Sequence, residues 1–300
     1  MNLCREKGYK EQEFTFLSHE INNPRGIIII AYGVAESAER YNYLASQLNL
    51  DNYNVYVINH INHGPYCNSN LLGHWEKHDF DGCLFNINVL YKKLKSQFSH
   101  LNFILLGHSM GSFMAQKYFL LYPNDFNGLI LSGCAKSDFI FKFGALFSSF
   151  LAIFNNKHKR MPIINNLSFA SFNKKFKPNK TSCDWLCKDE DICKHYESTK
   201  HIGFIATSGF YKEFYTSIAK IPNKAYKKLF SKDFPILLIG GKEDMVSNRG
   251  KKLIKLYEFY AKQSNDISYK LFDNDRHEIF NETDKDMVID YVKTWLRRIK

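Results

Sequence analysis

The chain of 300 residues has no apolar run long enough to cross a bilayer. Its longest, Phe139 to Phe154, is interrupted by Lys142 and falls short of the about 20 residues a spanning helix needs. Residues 1–12 lack the apolar stretch of a secretory leader. With only 7 Pro and 16 Gly, collagen-like and low-complexity classes are excluded. There is no C-x-x-C pair, and the 7 cysteines (Cys4, Cys67, Cys83, Cys134, Cys183, Cys187, Cys193) are odd in number and irregularly spaced. Free thiols in a reducing, cytoplasmic setting are the expectation. Neither a dinucleotide fingerprint nor a phosphate-binding glycine loop occurs. Acids are missing from one stretch, where Lys157, Lys159, Arg160, Lys174, Lys175, Lys177 and Lys180 follow one another without an Asp or Glu.

What is present is ample apolar surface: 45% hydrophobic and 16% aromatic residues, including 26 Phe and 18 Tyr. That is enough to offset chain entropy and build a core. The length suits one large domain carrying an inserted smaller piece. The net charge of +11 is uneven. Residues 134–233 hold 18 Lys and Arg against 8 Asp and Glu, whereas the rest of the chain is nearly neutral. Such a block fits nucleic acid, an anionic membrane surface, an anionic substrate or simply a solvated face. Its Phe-rich neighbourhood suits lipid better, and no nucleic-acid partner is expected.

Strand and helix signals alternate along the first third. Glu13 to Ile21 alternates like an exposed strand, and Gly26 to Ala31 (GIIIIA) reads as a strand buried on both faces. Tyr53 to Ile58, Leu101 to Leu106 and Asn127 to Leu131 read as further strands. Helical spacing covers Tyr41 to Leu50, Asp79 to Phe98 and Met110 to Leu121. The rhythm stops over residues 134–233 and resumes with a strand at Pro235 to Ile239. A helix near Arg249 to Ala261, a strand at Ile267 to Phe272 and a helix from Lys285 to Ile299 follow. The fold class is therefore α/β, a mostly parallel central sheet with helices on both faces. Residues 1–133 and 234–300 form the core, and residues 134–233 form an inserted, largely helical cap.

The strand ending at Leu106 runs into Gly107-His108-Ser109-Met110-Gly111, with a helix directly after it. This is the G-x-S-x-G elbow in its required setting of strand, tight turn and helix. The serine needs a strained backbone to present its hydroxyl, and side chains two residues away on either side would collide with the turn. A serine hydroxyl needs a base, and the base needs an acid to orient it. His277 follows the Ile267 to Phe272 strand, and Asp244 follows the Pro235 to Ile239 strand. Glu243, Asp273 and Asp275 are rivals for the acid role. The oxyanion amides are expected from Met110 and from Val34, in the turn Tyr32-Gly33-Val34. His60, His63, His74 and His78 show two-histidine spacings without a Cys or carboxylate at ligand spacing. No metal and no cofactor is expected.

Together these residues resemble the monoacylglycerol lipase and lysophospholipase branch of the α/β-hydrolases, which shares its framework with serine aminopeptidases. The family's H-G-x-x-E-H-S-x-R-Y is matched by Tyr32-Gly33-Val34-Ala35-Glu36-Ser37-Ala38-Glu39-Arg40-Tyr41. Its D-x-R-G-H-G is matched only as Asn59-His60-Ile61-Asn62-His63-Gly64, so Asn59 and Ile61 replace Asp and Arg, as Tyr32 replaces His. The elbow is intact, G-x-x-D-x-V is Gly241 to Val246, and R-H-E-x-x-N-E is complete as Arg276 to Glu282. Asp184-Trp185-Leu186-Cys187-Lys188-Asp189 is similar to a D-W-L-S-R-D segment of bacterial members. The resemblance implies an α/β-hydrolase fold with a cap over the acyl pocket. It also implies an ester-cleaving serine enzyme acting on a monoacylglycerol or lysophospholipid. An aminopeptidase of the same fold and a non-catalytic binding protein are the alternatives. Peripheral contact with an anionic membrane through the cap is expected from Phe139, Phe141, Phe143, Phe147, Phe150 and Phe154 beside the basic run.

Overall fold

The computed structural model describes residues 1–167, 171–221 and 231–299. Its strands are β1 (Asn2–Lys7), β2 (Glu13–His19), β3 (Gly26–Ala31), β4 (Tyr53–Ile58), β5 (Asn102–His108), β6 (Gly128–Ser132), β7 (Ile236–Gly241) and β8 (Ile267–Phe272). The helices are α1 (Asn42–Asn49), α2 (Asp79–Gln97), α3 (Met110–Leu121), α4 (Phe139–Phe154), α5 (Pro162–Asn165), α6 (Ser171–Asn173), α7 (Glu190–Ser198), α8 (Ser208–Ala219), α9 (Lys251–Tyr260) and α10 (Lys285–Leu296). The strands form one sheet in the order β1-β2-β4-β3-β5-β6-β7-β8. Only β2 runs antiparallel to both its neighbours; the pairs from β4 to β8 are parallel.

The continuous apolar run of β3 follows from its place in the sheet. Ile27 and Ile29 point into a core covered by α2, α3 and α9, while Ile28 and Ile30 point into one covered by α1 and α10. A strand with a helix layer on each face has no side to leave polar. Because β3, β5, β7 and β8 are parallel, the turns that follow them open on one edge of the sheet, where α/β folds place their sites.

One sequence expectation needs correction. The segment starting at Glu13 is not an exposed strand: every residue of β2 after Glu13 is buried. The polar residues 2–7, which carried no strand signal, pair along its outer edge from Asn2↔Ser18 to Lys7↔Glu13. The alternation is real, but its polar positions have internal partners. Thr15 Oγ1 accepts from Asn59, and Ser18 Oγ accepts from Cys4. β1 itself is a half-exposed edge strand, too polar to read as a strand in isolation.

Between β6 and β7 the described residues form helices and no strand, apart from an isolated bridge between Arg160 and Thr207. Side-chain caps start three of these helices: Asp138 on α4, Asp189 on α7 and Thr207 on α8. α8 is bound into the main core through Phe210, Tyr211, Phe214 and Ile218. Cys183, Trp185, Leu186, Cys187 and Cys193 form a small core of their own. All 7 cysteines are free thiols. Among the described residues no helix is long and apolar enough to cross a membrane.

Deleting residues 1–7 leaves β2 as a buried strand with an unpaired edge, so self-association is expected. Light scattering and size-exclusion chromatography check this; a monomer with unchanged melting temperature contradicts it.

Candidate active site

The turn between β5 and α3 is built by close approach. Ser109 sits at φ 51°, ψ −115°, a region an L-residue occupies only under strain of order 1–3 kcal/mol. Its N–H donates to the Ser132 carbonyl at 3.0 Å, which ties the turn to β6. A Cβ on Gly107 would lie 2.4 Å from the Gly111 carbonyl oxygen, and one on Gly111 would lie 1.9 Å from that of Ala31. Both glycines are therefore contact requirements, and α3 starts directly against the end of β3.

Three of the expected residues meet there. His277 Nε2 is 2.8 Å from Ser109 Oγ, and His277 Nδ1 is 3.0 Å from Asp244 Oδ1. With a neutral imidazole, Nδ1–H donates to the carboxylate and Nε2 accepts from the serine hydroxyl. Asp244 is fully buried and also accepts from the N–H groups of Val246 (2.8 Å) and Ser247 (3.3 Å). Burial works to raise its pKa, but His277 and these donors outweigh it and hold the carboxyl below its ordinary value. Burial likewise works to lower the His277 pKa, and the charge and hydrogen bond of Asp244 carry it above the ordinary imidazole value. The rival acids are placed elsewhere: Asp273 pairs with Lys242, Asp275 pairs with Lys188, and Glu243 is half-buried on the turn.

Met110 opens α3, and Val34 follows Gly33 in the turn after β3. That turn lies against the serine, since a Cβ on Gly33 would be 3.1 Å from Ser109 Cβ. Val34, Ser109 and His277 line one cavity of about 200 Å³, walled by Trp185, Phe204 and Tyr211. A cavity of similar size under the 59–68 loop contains neither Ser109 nor His277.

The departures from the family pattern have a physical account. Tyr32, fully buried, donates through its hydroxyl to Asn59 Oδ1 at 3.0 Å and accepts from the His60 N–H at 3.2 Å. Two of the three replaced residues, Tyr32 and Asn59, thus bond to each other. Ile61 packs onto the core, and its carbonyl accepts from Trp75 Nε1 and faces His63 Nδ1. The loop is braced through neutral groups rather than an ion pair.

Several residues carried no role in the sequence reading. Glu36 accepts from the Gly33 N–H at 3.1 Å and lies 3.2 Å from Arg40. Arg40 also donates twice to Glu278, at 2.7 and 2.6 Å. Burial works to raise the Glu278 pKa, but Arg40 outweighs it and the carboxyl ends low; burial and then Glu278 push Glu36 up to about 7. Their only sequence signal was membership of the H-G-x-x-E and R-H-E strings. His108, whose ring centre is 5.0 Å from that of His277, is held neutral by burial and then by His277.

The histidine spacings also gain a carboxylate that was overlooked. Glu76 Oε1 is 3.2 Å from His74 Nε2, and His158 joins them from a distant segment. Glu76 is already paired with Lys157 at 2.5 Å, and the His74 and His158 rings stack face to face at 4.0 Å.

The profile of the serine aminopeptidase S33 family of hydrolases matches residues 22–284. The chain belongs to this family. A curated relative, a monoacylglycerol lipase of Mycolicibacterium smegmatis, is 24% identical over 282 residues, covering 91% of this chain and 89% of its own. A thermostable carboxyl esterase from Bacillus coagulans, solved with glycerol, superposes with a TM-score of 0.89 at 21% identity, over 99% of this chain and 98% of its own. A soluble variant of the Saccharomyces cerevisiae monoglyceride lipase, solved with a substrate analogue, gives 0.74 at 20% identity, over 99% and 96%. This S33 hydrolase therefore has the α/β-hydrolase fold.

Tyr32→Phe removes the hydroxyl and leaves the His60 N–H buried without its acceptor. A loss of about 1–3 kcal/mol is expected in urea denaturation; an unchanged midpoint contradicts the bracing role.

Proposed function

We propose that the protein is a serine hydrolase that cleaves carboxylic esters of single-chain lipids, a monoacylglycerol or a lysophospholipid, through an acyl-enzyme. The reading is carried by the relay Asp244–His277–Ser109, in which both hydrogen bonds are formed and Ser109 and His277 line one cavity. Ser109 Oγ attacks the ester carbonyl while His277 Nε2 takes its proton, and Asp244 balances the imidazolium. The N–H groups of Val34 and Met110 hold the oxyanion, the latter at the positive end of α3. The alkoxy leaving group departs with the proton from His277. Water then enters as nucleophile by the same route and releases the fatty acid.

Ester rather than aminoacyl amide cleavage is favoured by the charge of the wall. An aminopeptidase must hold an α-ammonium, yet the two carboxylates lining the cavity, Glu36 and Glu278, are both engaged by Arg40. Lipase and esterase relatives point the same way. Residues 134–233 act as the cap.

α4 gives the cap a membrane-facing side. Its Phe141, Phe147 and Leu151 pack on the core, while Phe139 (77% exposed), Phe143, Leu146, Phe150, Ile153 and Phe154 remain outside. Lys142, Lys159, Lys174, Lys175 and Lys177 are exposed in the same region of the chain. Rings that enter the acyl layer beside ammonium groups that meet phosphates make an interfacial anchor for anionic membranes.

An activated fluorophosphonate is expected to label Ser109 and to lose that site in Ser109→Ala; peptide mapping reads it, and a label elsewhere contradicts the nucleophile. Asp244→Asn should lower kcat by about 10⁴.

Since His277 must be neutral to take the serine proton and its pKa is raised, kcat/KM falls as pH drops through a value above the ordinary 6.5. An acid limb below 6.5 contradicts this arrangement.

Flotation with anionic vesicles at low salt should carry the protein upward, and Phe143→Ser with Phe150→Ser should abolish it. A folded wild-type protein that ignores such vesicles removes the anchor.

A further inference from the structure

The side chain facing the imidazole comes from the region inserted between β6 and β7. Trp185 lies over His277 with ring centres 5.4 Å apart and planes 26° from parallel, and both residues are buried. Its position is tied to the base itself. Arg276 Nη1 donates to the carbonyls of Asp184 (2.6 Å) and Cys187 (3.0 Å), and the Glu278 N–H donates to the Leu186 carbonyl at 2.7 Å. The residues immediately before and after His277 thus grip the segment that carries Trp185. From the other side, the Trp185 N–H donates to Asn173 Oδ1 at 2.9 Å, and the Phe172 ring packs 5.6 Å away. A cover that swings clear of the cavity would have to break this set, so this part of the insertion belongs to the base loop.

We propose that Trp185 is a positioning residue that acts through His277: its indole face fixes the imidazole plane and stabilises the imidazolium formed while Ser109 attacks. The inference rests on the serine-hydrolase reading above. An aromatic face attracts a cation within about 6 Å, most strongly where water is excluded. Asp244 holds Nδ1 and Ser109 faces Nε2. Glu278 and Glu36 act at longer range with Arg40 between them, and His108 is held neutral. The indole supplies the stabilisation that none of these groups directs at the ring face.

Site-specific incorporation of mono-, di- and trifluorotryptophan at position 185 tests this, because fluorine withdraws π density while nearly preserving shape. The imidazole pKa of His277, read by NMR, and the acid limb of kcat/KM should fall together and stepwise, by about half to one unit across the series. kcat should drop a few-fold with KM little changed. Trp185→Leu, which keeps the site dry, should shift the pKa in the same direction; should that variant fail to fold, the fluorinated series still decides. A pKa constant across the series overturns the proposal, since a merely structural wall does not respond to π density. If the serine-hydrolase reading fails instead, the wild-type protein shows no fluorophosphonate labelling of Ser109 while the NMR titration still reports the contact.

Discussion

The site depends on how closely α3 approaches the end of β3. With no side chain at Gly111, the helix backbone rests against the Ala31 carbonyl, and the chain must turn sharply at Ser109 to get there. The strain at that residue persists because both sides of the turn are over-determined, by β6 through the Ser132 carbonyl and by β3 through the glycine contact. The same approach brings the Gly33–Val34 turn alongside the serine. The placements of Ser109 and of the Gly33–Val34 turn beside it are consequences of one packing constraint.

A second organising element is the buried chain from Glu36 through Arg40 to Glu278. Burying the Arg40–Glu278 ion pair is expensive, and its mutual attraction only offsets that expense. Their placement suggests positional use: Glu36 holds the Gly33 amide, and Glu278 is the residue after His277. The Gly33–Val34 turn and the loop that carries His277, 238 residues apart in sequence across the Arg40–Glu278 bond, are thereby linked through one guanidinium. Tyr32 and Asn59 extend the bracing with neutral hydrogen bonds that do not respond to pH in the working range.

The region between β6 and β7 has two characters. Residues 183–188 are fastened to the base loop through Arg276, Glu278 and Glu282. α4, by contrast, rests one side on the core and leaves Phe139, Phe143, Phe150 and Phe154 in the open. One part is fastened to the loop carrying His277 and the other presents an apolar face.

Much of the fold was legible from local signals. Buried strands such as β3 and amphipathic helices such as α2 declare themselves through period and composition, and α3 and β8 begin and end where their patterns do. Ser109, Asp244 and His277 stood out through chain order, because each follows a strand of a parallel sheet. β1 was not legible, since a polar edge strand owes its conformation to the neighbour it pairs with. Asp244 was preferred to Glu243, Asp273 and Asp275 from its position in the turn, but the distance of its carboxylate from Nδ1 comes only from the folded turn. Trp185 could not have been placed over His277 from sequence, because that contact depends on long-range hydrogen bonds that carry no periodicity. The sequence by itself determined the buried strands, the amphipathic helices flanking them and the candidate groups. Tertiary structure decided their distances, their partners and their burial, because those are set by which segments pack together and not by any segment alone.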